Sequence, residues 1–197
     1  MNRKLLRVTL VGLVLIVALG ALLPSLLSAV GVKISLGQTP VETSRTKYVN
    51  GVCSASSPGT TLVIDFGTSS KRALVARCAI GFGAKSTDTG WSLFTAAGIK
   101  VEGTTQYPTG FVCRVDNFPS QSDQPCTSTP TEAEGTWVYY SAADSGSSSG
   151  AWKFRMQGAA VTHPGCGTWE GWRFVTLTDK QTITTPRIEP KPQVCQY

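Results

Sequence analysis

The chain has 197 residues, with 18 Lys and Arg against 12 Asp and Glu and a formal charge of +6. Three of the bases, Arg3, Lys4 and Arg7, precede an apolar run; without them 15 bases face 12 acids and the balance falls close to +3. The other bases are scattered, as Lys71-Arg72, Arg77, Lys153, Arg155 and Arg173, with no stripe and no interleaved aromatics, which argues against nucleic acid as a partner.

Residues 8–32 carry no charge and follow a basic start, the pattern of an export signal or a membrane anchor. The run exceeds the roughly 20 apolar residues that span a bilayer, and Ala29-Val30-Gly31 offers a small-x-small cleavage site. Residues 1–32 are therefore read as a cleaved signal peptide or a retained N-terminal anchor, and both readings stay open. Either leaves the rest of the chain extracellular or at the cell surface, with membrane contact confined to residues 5–32. Six cysteines, Cys53, Cys78, Cys113, Cys126, Cys166 and Cys195, all follow this segment. An even set in an exported chain reads as a disulfide framework. No Cys-x-x-Cys pair occurs and His163 is the one histidine, so no metal site is expected.

Residues 33–59 are polar and read as a linker. "TTLVIDFG" (60–67) and "KRALVARCAI" (71–80) are strand candidates joined by a short bend, a hairpin. The hairpin returns Cys78 to the level of Leu62, near Cys53. "STDTGWSLFTAAGI" (86–99) is the one convincing helix, with capping residues at its start and Gly98 at its end. Strand signals follow at 100–107 and at 110–117, where Phe111, Cys113 and Val115 share a side. Pairing Cys113 with Cys126 would tie down the polar loop 114–125, a closure that stabilises by roughly 3 kcal/mol. Further strands are expected at 135–143, 150–156 and 170–177, with "DSGSSSG" (144–150) as a hairpin tip. The tail 179–197 carries three prolines and reads as extended, with Cys195 pinning it back. The four cysteines left after Cys113–Cys126 can pair in three ways; Cys53–Cys78 with Cys166–Cys195 is the favoured set. About seven strands and one short helix make an α+β domain over residues 60–178.

Catalytic constellations are scarce. His163 lies in the turn "VTHPGCG", the acidic residues form no motif, and "GFGAKS" (81–86) lacks the full spacing of a phosphate loop. No catalytic residue, cofactor or enzymatic activity is expected. The aromatics say more. Trp137, Tyr139, Tyr140, Trp152, Phe154, Trp169, Trp172 and Phe174 crowd into one short region. Strand alternation puts Trp137 and Tyr139 on one face and Tyr140 on the other. Some must fill the core against Trp91, Phe94 and Phe111. A surplus left in a groove or on an edge would serve as a platform for a planar ligand or a sugar.

"GWSLFTAAGIKVEGT", "GFVCRVDNFPS", "PCTSTP", "TWVYYSA", "AWKF" and "EGWRF" occur in this order. Across residues 60–178 the chain resembles exported actinobacterial proteins whose domain is similar to the C-terminal domain of transcobalamin. The resemblance implies a β-grasp-like sheet folded around the helix. It also implies a soluble-ligand-binding role, with a corrinoid as the ligand class and a vitamin or metal uptake transporter as the partner. In transcobalamin a second, helical domain covers the ligand's other face; without one here, a transporter or second protein would close the site. The matched ligand-binding positions are Trp137, Tyr139 and Tyr140, with Trp152 at an edge. The alternative function is a cell-surface structural or protein-interaction module that uses the sheet edge and the loop 114–125.

Overall fold

Alternating apolar residues in two strands and a seven-residue helix set the architecture. The structure, a computed structural model, describes residues 48–131, 133–143, 151–176, 185–193 and 195. The export segment, the first part of the expected linker and the hairpin tip 144–150 lie outside the described residues. The strands are β1 (Tyr48–Asn50), β2 (Gly59–Asp65), β3 (Val75–Ile80), β4 (Val101–Gly103), β5 (Val112–Val115), β6 (Thr136–Ala142), β7 (Lys153–Phe154) and β8 (Trp169–Val175); the helix, α1, is Gly90–Ala96. Six strands form one sheet in the order β1-β3-β2-β8-β6-β7, and β4 and β5 form a separate antiparallel pair. Every neighbour in the large sheet is antiparallel except β2 and β8, which run parallel with Thr61 opposite Trp169 and Asp65 opposite Arg173. The described residues thus form a mostly β, α+β fold with one short helix.

The helix is shorter than the expected 86–99. Thr89 caps it in a reciprocal box with Ser92, which satisfies the first free amides. Upstream, the Asp88 carboxylate accepts from the amides of Gly83 and Lys85, so residues 83–88 form a turn. Gly98 takes a positive φ of 66° and ends the helix. Arg77 on β3 donates to the carbonyls of Ala97 and Gly98 at 3.0 and 2.8 Å, completing the helix end from a neighbouring strand. One helix face buries Leu93, Phe94 and Ala97 completely. They pack with Leu62 and Ile64 of β2, Phe66 just beyond it, Trp137 and Tyr139 of β6, and Trp172 and Phe174 of β8. Each fully buried Leu, Ile or Phe among them contributes roughly 1.5–3 kcal/mol.

The opposite sheet face has its own small core of Val63, Ala142 and Trp169, joined by Leu74, Ala76, Trp152 and Ile188. Ile188 belongs to the tail, which crosses this face as a strap. Trp152 Nε1 donates to the Ile188 carbonyl at 2.8 Å and Trp169 Nε1 to that of Lys191 at 3.1 Å. Gln193 N donates to the Gly167 carbonyl, and a side chain at Gly167 would overlap the Gln193 carbonyl oxygen. The Asp65 carboxylate, fully buried, accepts from the Arg187 amide at 2.9 Å and from its guanidinium at 2.6–3.1 Å. Buried Arg173 stands 3.3 Å away on the same carboxylate and donates to the Thr185 carbonyl. Burial pushes the Asp65 carboxyl up, but the Arg187 bonds and charge outweigh it and hold it below the usual carboxylate range.

Three disulfides close the structure: Cys53–Cys78, Cys113–Cys126 and Cys166–Cys195, with Cα separations of 4.7, 5.8 and 5.8 Å. These are the pairs favoured from the sequence. Such a framework belongs to an oxidising compartment. Cys113–Cys126 does not act alone on the loop between them. Arg114, 3% exposed, sits inside it and donates to the Pro119 and Gln124 carbonyls and to Glu102.

The expected linker 33–59 does not hold to its end. From Tyr48 the chain already belongs to the sheet, as β1 pairs with β3 and the Arg77 guanidinium lies 4.8 Å from the Tyr48 ring centre. Three residues are too few for strand alternation to register in the sequence.

Candidate ligand-binding groove

Period-two alternation brings Trp137 and Tyr139 of β6 onto the helix face beside Trp172 of β8, because the antiparallel register sets Tyr139 opposite Trp172. The two rings stack, 4.5 Å between centroids and 9° between planes. Together they form part of the lining of a groove of about 390 Å³. Trp91 of α1 and residues 109–112 line it too, as does the segment from Phe154 to Ala159. Phe154 is 61% exposed and Met156 92%, so this segment leaves apolar surface in water. A smaller cavity of about 200 Å³ lies between Cys53 and Cys195, with Trp169 as its one aromatic. It is lined by no charged side chain and sits beside the strap.

The floor of the groove rests on a buried acid. Tyr139 donates its hydroxyl to Glu170 Oε2 at 2.5 Å, and Glu170 is fully buried. Burial pushes the Glu170 carboxyl up to about 7, against the opposing effects of the Tyr139 bond and the Arg155 charge. Burial, then the Glu170 charge, pushes the Tyr139 phenol far up as well. Tyr139 is therefore a neutral donor held in one orientation, and its hydroxyl is occupied.

The lining is rich in donors without acceptors. Trp137 Nε1, Trp172 Nε1 and Arg155 Nε are buried and have no hydrogen-bond partner among the described residues. A buried donor left unpaired costs about 1–3 kcal/mol, a cost the fold carries behind the groove, since none of the three atoms is open to solvent. Arg155 is the one charged side chain of the lining, and it forms no ion pair among the described residues.

Two of the four positions named from the sequence, Trp137 and Tyr139, meet in this groove. Tyr140 and Trp152 do not. Tyr140 faces the other way along β6 and packs edge-on to Phe154 at 6.1 Å. Trp152 covers Gly171, where any Cβ would strike its ring, and packs edge-on to Trp169 under the strap. Its indole is spent on the tail. Sequence reasoning misses Glu170 and Trp172 as site residues, although a signal exists. In "EGWRF" an acid alternates with Trp172 and Phe174, which places a carboxyl on an apolar face. Arg155 offers no comparable signal, since only the fold sets it beside β6.

The remaining sequence candidates find structural roles. His163 Nδ1 pairs with the Asp88 backbone carbonyl, not with a carboxylate. In "GFGAKS" the Gly83 and Lys85 amides already serve Asp88. Among the described residues no group of three or more His, Cys, Asp or Glu could hold a metal, and no helix is long and apolar enough to cross a membrane. No family model, no curated protein and no solved structure matches the chain.

Proposed function

We propose that this is an exported, non-enzymatic domain that captures a small planar ligand in the aromatic groove and passes it to a membrane uptake transporter. The observation that carries the reading is the gathering of Trp91, Trp137, Tyr139 and Trp172 around one open groove. Its volume falls in the range of about 300–1,000 Å³ typical of ligand sites. The charge-free segment 8–32 and the three disulfides support export. The β2–β3 hairpin, the helix that follows and the parallel return of β8 beside β2 support a β-grasp-like sheet. The resemblance to the transcobalamin C-terminal domain makes a corrinoid the first ligand to test. A groove this size holds one face of such a macrocycle, which leaves the other face for the transporter.

Titrating the oxidised full-length chain with cyanocobalamin should quench tryptophan fluorescence and saturate. An unchanged signal at high micromolar ligand counts against the corrinoid. A second reading, a cell-surface interaction module, draws on the exposed edge strand β1, where Tyr48 and Val49, with nearby Val52, are 38–43% exposed. The loop 114–125 lends this reading less, because Arg114 already occupies its carbonyls.

A further inference from the structure

We propose that the groove selects organic anions: a flat conjugated ring bearing a carboxylate or a similar oxyanion, with Arg155 as the residue that sets this preference. The inference rests on the groove being the ligand site and adds the chemistry of what it takes. Two features point the same way. Among the described residues the lining carries one cation, Arg155, and no Asp or Glu. Its rim carries Met156, apolar and 92% exposed, and a ring laid against it would remove that surface from water.

The acid nearest the groove, Glu170, feels the Arg155 charge from beneath but leaves the guanidinium's hydrogen bonds unfilled. Glu170 is engaged by Tyr139 at 2.5 Å and by Thr168 at 3.5 Å, and no hydrogen bond joins it to Arg155 among the described residues. A guanidinium is suited to this task because it is always charged and presents a planar fork to an oxyanion. A neutral ring of the same shape would gain the apolar contacts without the charge-assisted bonds to the Arg155 fork.

The test uses the full-length chain, disulfides intact, in one neutral detergent, and calorimetric titration with three matched probes: 2-naphthoate, neutral 2-naphthamide and cationic 2-(aminomethyl)naphthalene. The naphthoate should bind at least about tenfold more tightly than either of the others. Arg155→Gln should weaken naphthoate binding to the level of naphthamide and so erase that preference, and Arg155→Lys should restore part of it. Arg155 is half-buried at the groove's edge, so neither variant threatens the fold. Equal binding of naphthoate and naphthamide would overturn the anion preference and leave the ligand-binding reading standing. Binding of cyanocobalamin with no binding of any naphthyl probe would do the same. Failure of all three probes and of cyanocobalamin would overturn both.

Discussion

Replacing Asp65 by Ala should destabilise the oxidised protein by about 3–5 kcal/mol, the usual consequence of removing one partner from a buried ion pair. The carboxylate joins three separate stretches: β2, which carries it, Arg173 on β8, and Arg187 on the strap. Without it Arg173, whose side chain is 2% exposed, keeps a buried charge and loses the Asp65 counter-charge. Arg187→Ala should cost less, because the Arg187 side chain is 40% exposed and Arg173 still faces Asp65. The two losses separate in urea unfolding near neutral pH. Amide exchange should locate the damage, since Arg187 and Gln193 both donate from the strap. A loss under about 1 kcal/mol for Asp65→Ala would place it with exposed pairs and show that this clamp does not hold the fold. The pH dependence has a definite sign. The folded carboxyl is held below its ordinary value of 3.8, so its stabilisation is present above that value. It is lost as pH falls through the folded value.

Glu170→Gln should act in the opposite sense. The folded carboxyl titrates at about 7, above its ordinary 4.5. Its contribution is therefore complete below 4.5 and is lost as pH rises through about 7. The gap corresponds to roughly 3 kcal/mol, the cost of holding the charged form in a dry site. A glutamine keeps an oxygen for the Tyr139 hydroxyl and cannot ionise. Relative to wild type, the variant should gain stability between about pH 5 and pH 8, by up to roughly 3 kcal/mol, and differ little at the acid end. Unfolding curves at several pH values measure this directly. A difference that does not change with pH would mean that Glu170 stays ionised throughout or is not buried. Together the two acids place the best stability near pH 4.5, between their windows.

The contrast between these two residues shows what a sequence reveals. Local order is legible. Thr89 and Gly98 bracket α1, and a loop of a dozen residues between Cys113 and Cys126 announces its own bridge. The hairpin bend puts Cys78 back beside Cys53. The buried acid of β8 is missed, although it alternates with Trp172 and Phe174 in the sequence. Pairings across long separations are not legible. The parallel registration of β2 with β8 links residues about a hundred positions apart, and no local pattern encodes it. The Asp65–Arg187 pair spans 122 positions, so the strap can be expected at Cys195 but not its clamp. The same long-range dependence divides the site. Tyr140 and Trp152 carry the right ring chemistry, but alternation and the tail assign them to the other face. Trp172 and Arg155 become groove residues only once β8 and the segment after β7 flank β6.

The chain's five tryptophans offer the most direct test that a ligand enters on the helix face. Trp91, Trp137 and Trp172 line the groove, while Trp152 and Trp169 bond to the strap on the far side. An indole ¹H–¹⁵N spectrum of the full-length chain, assigned by single Trp→Phe replacements, should be followed during titration with 2-naphthoate and, separately, cyanocobalamin. The Trp91, Trp137 and Trp172 signals should move and saturate while those of Trp152 and Trp169 stay in place. Movement confined to Trp152 and Trp169, or none with either ligand, would contradict a binding site in the groove.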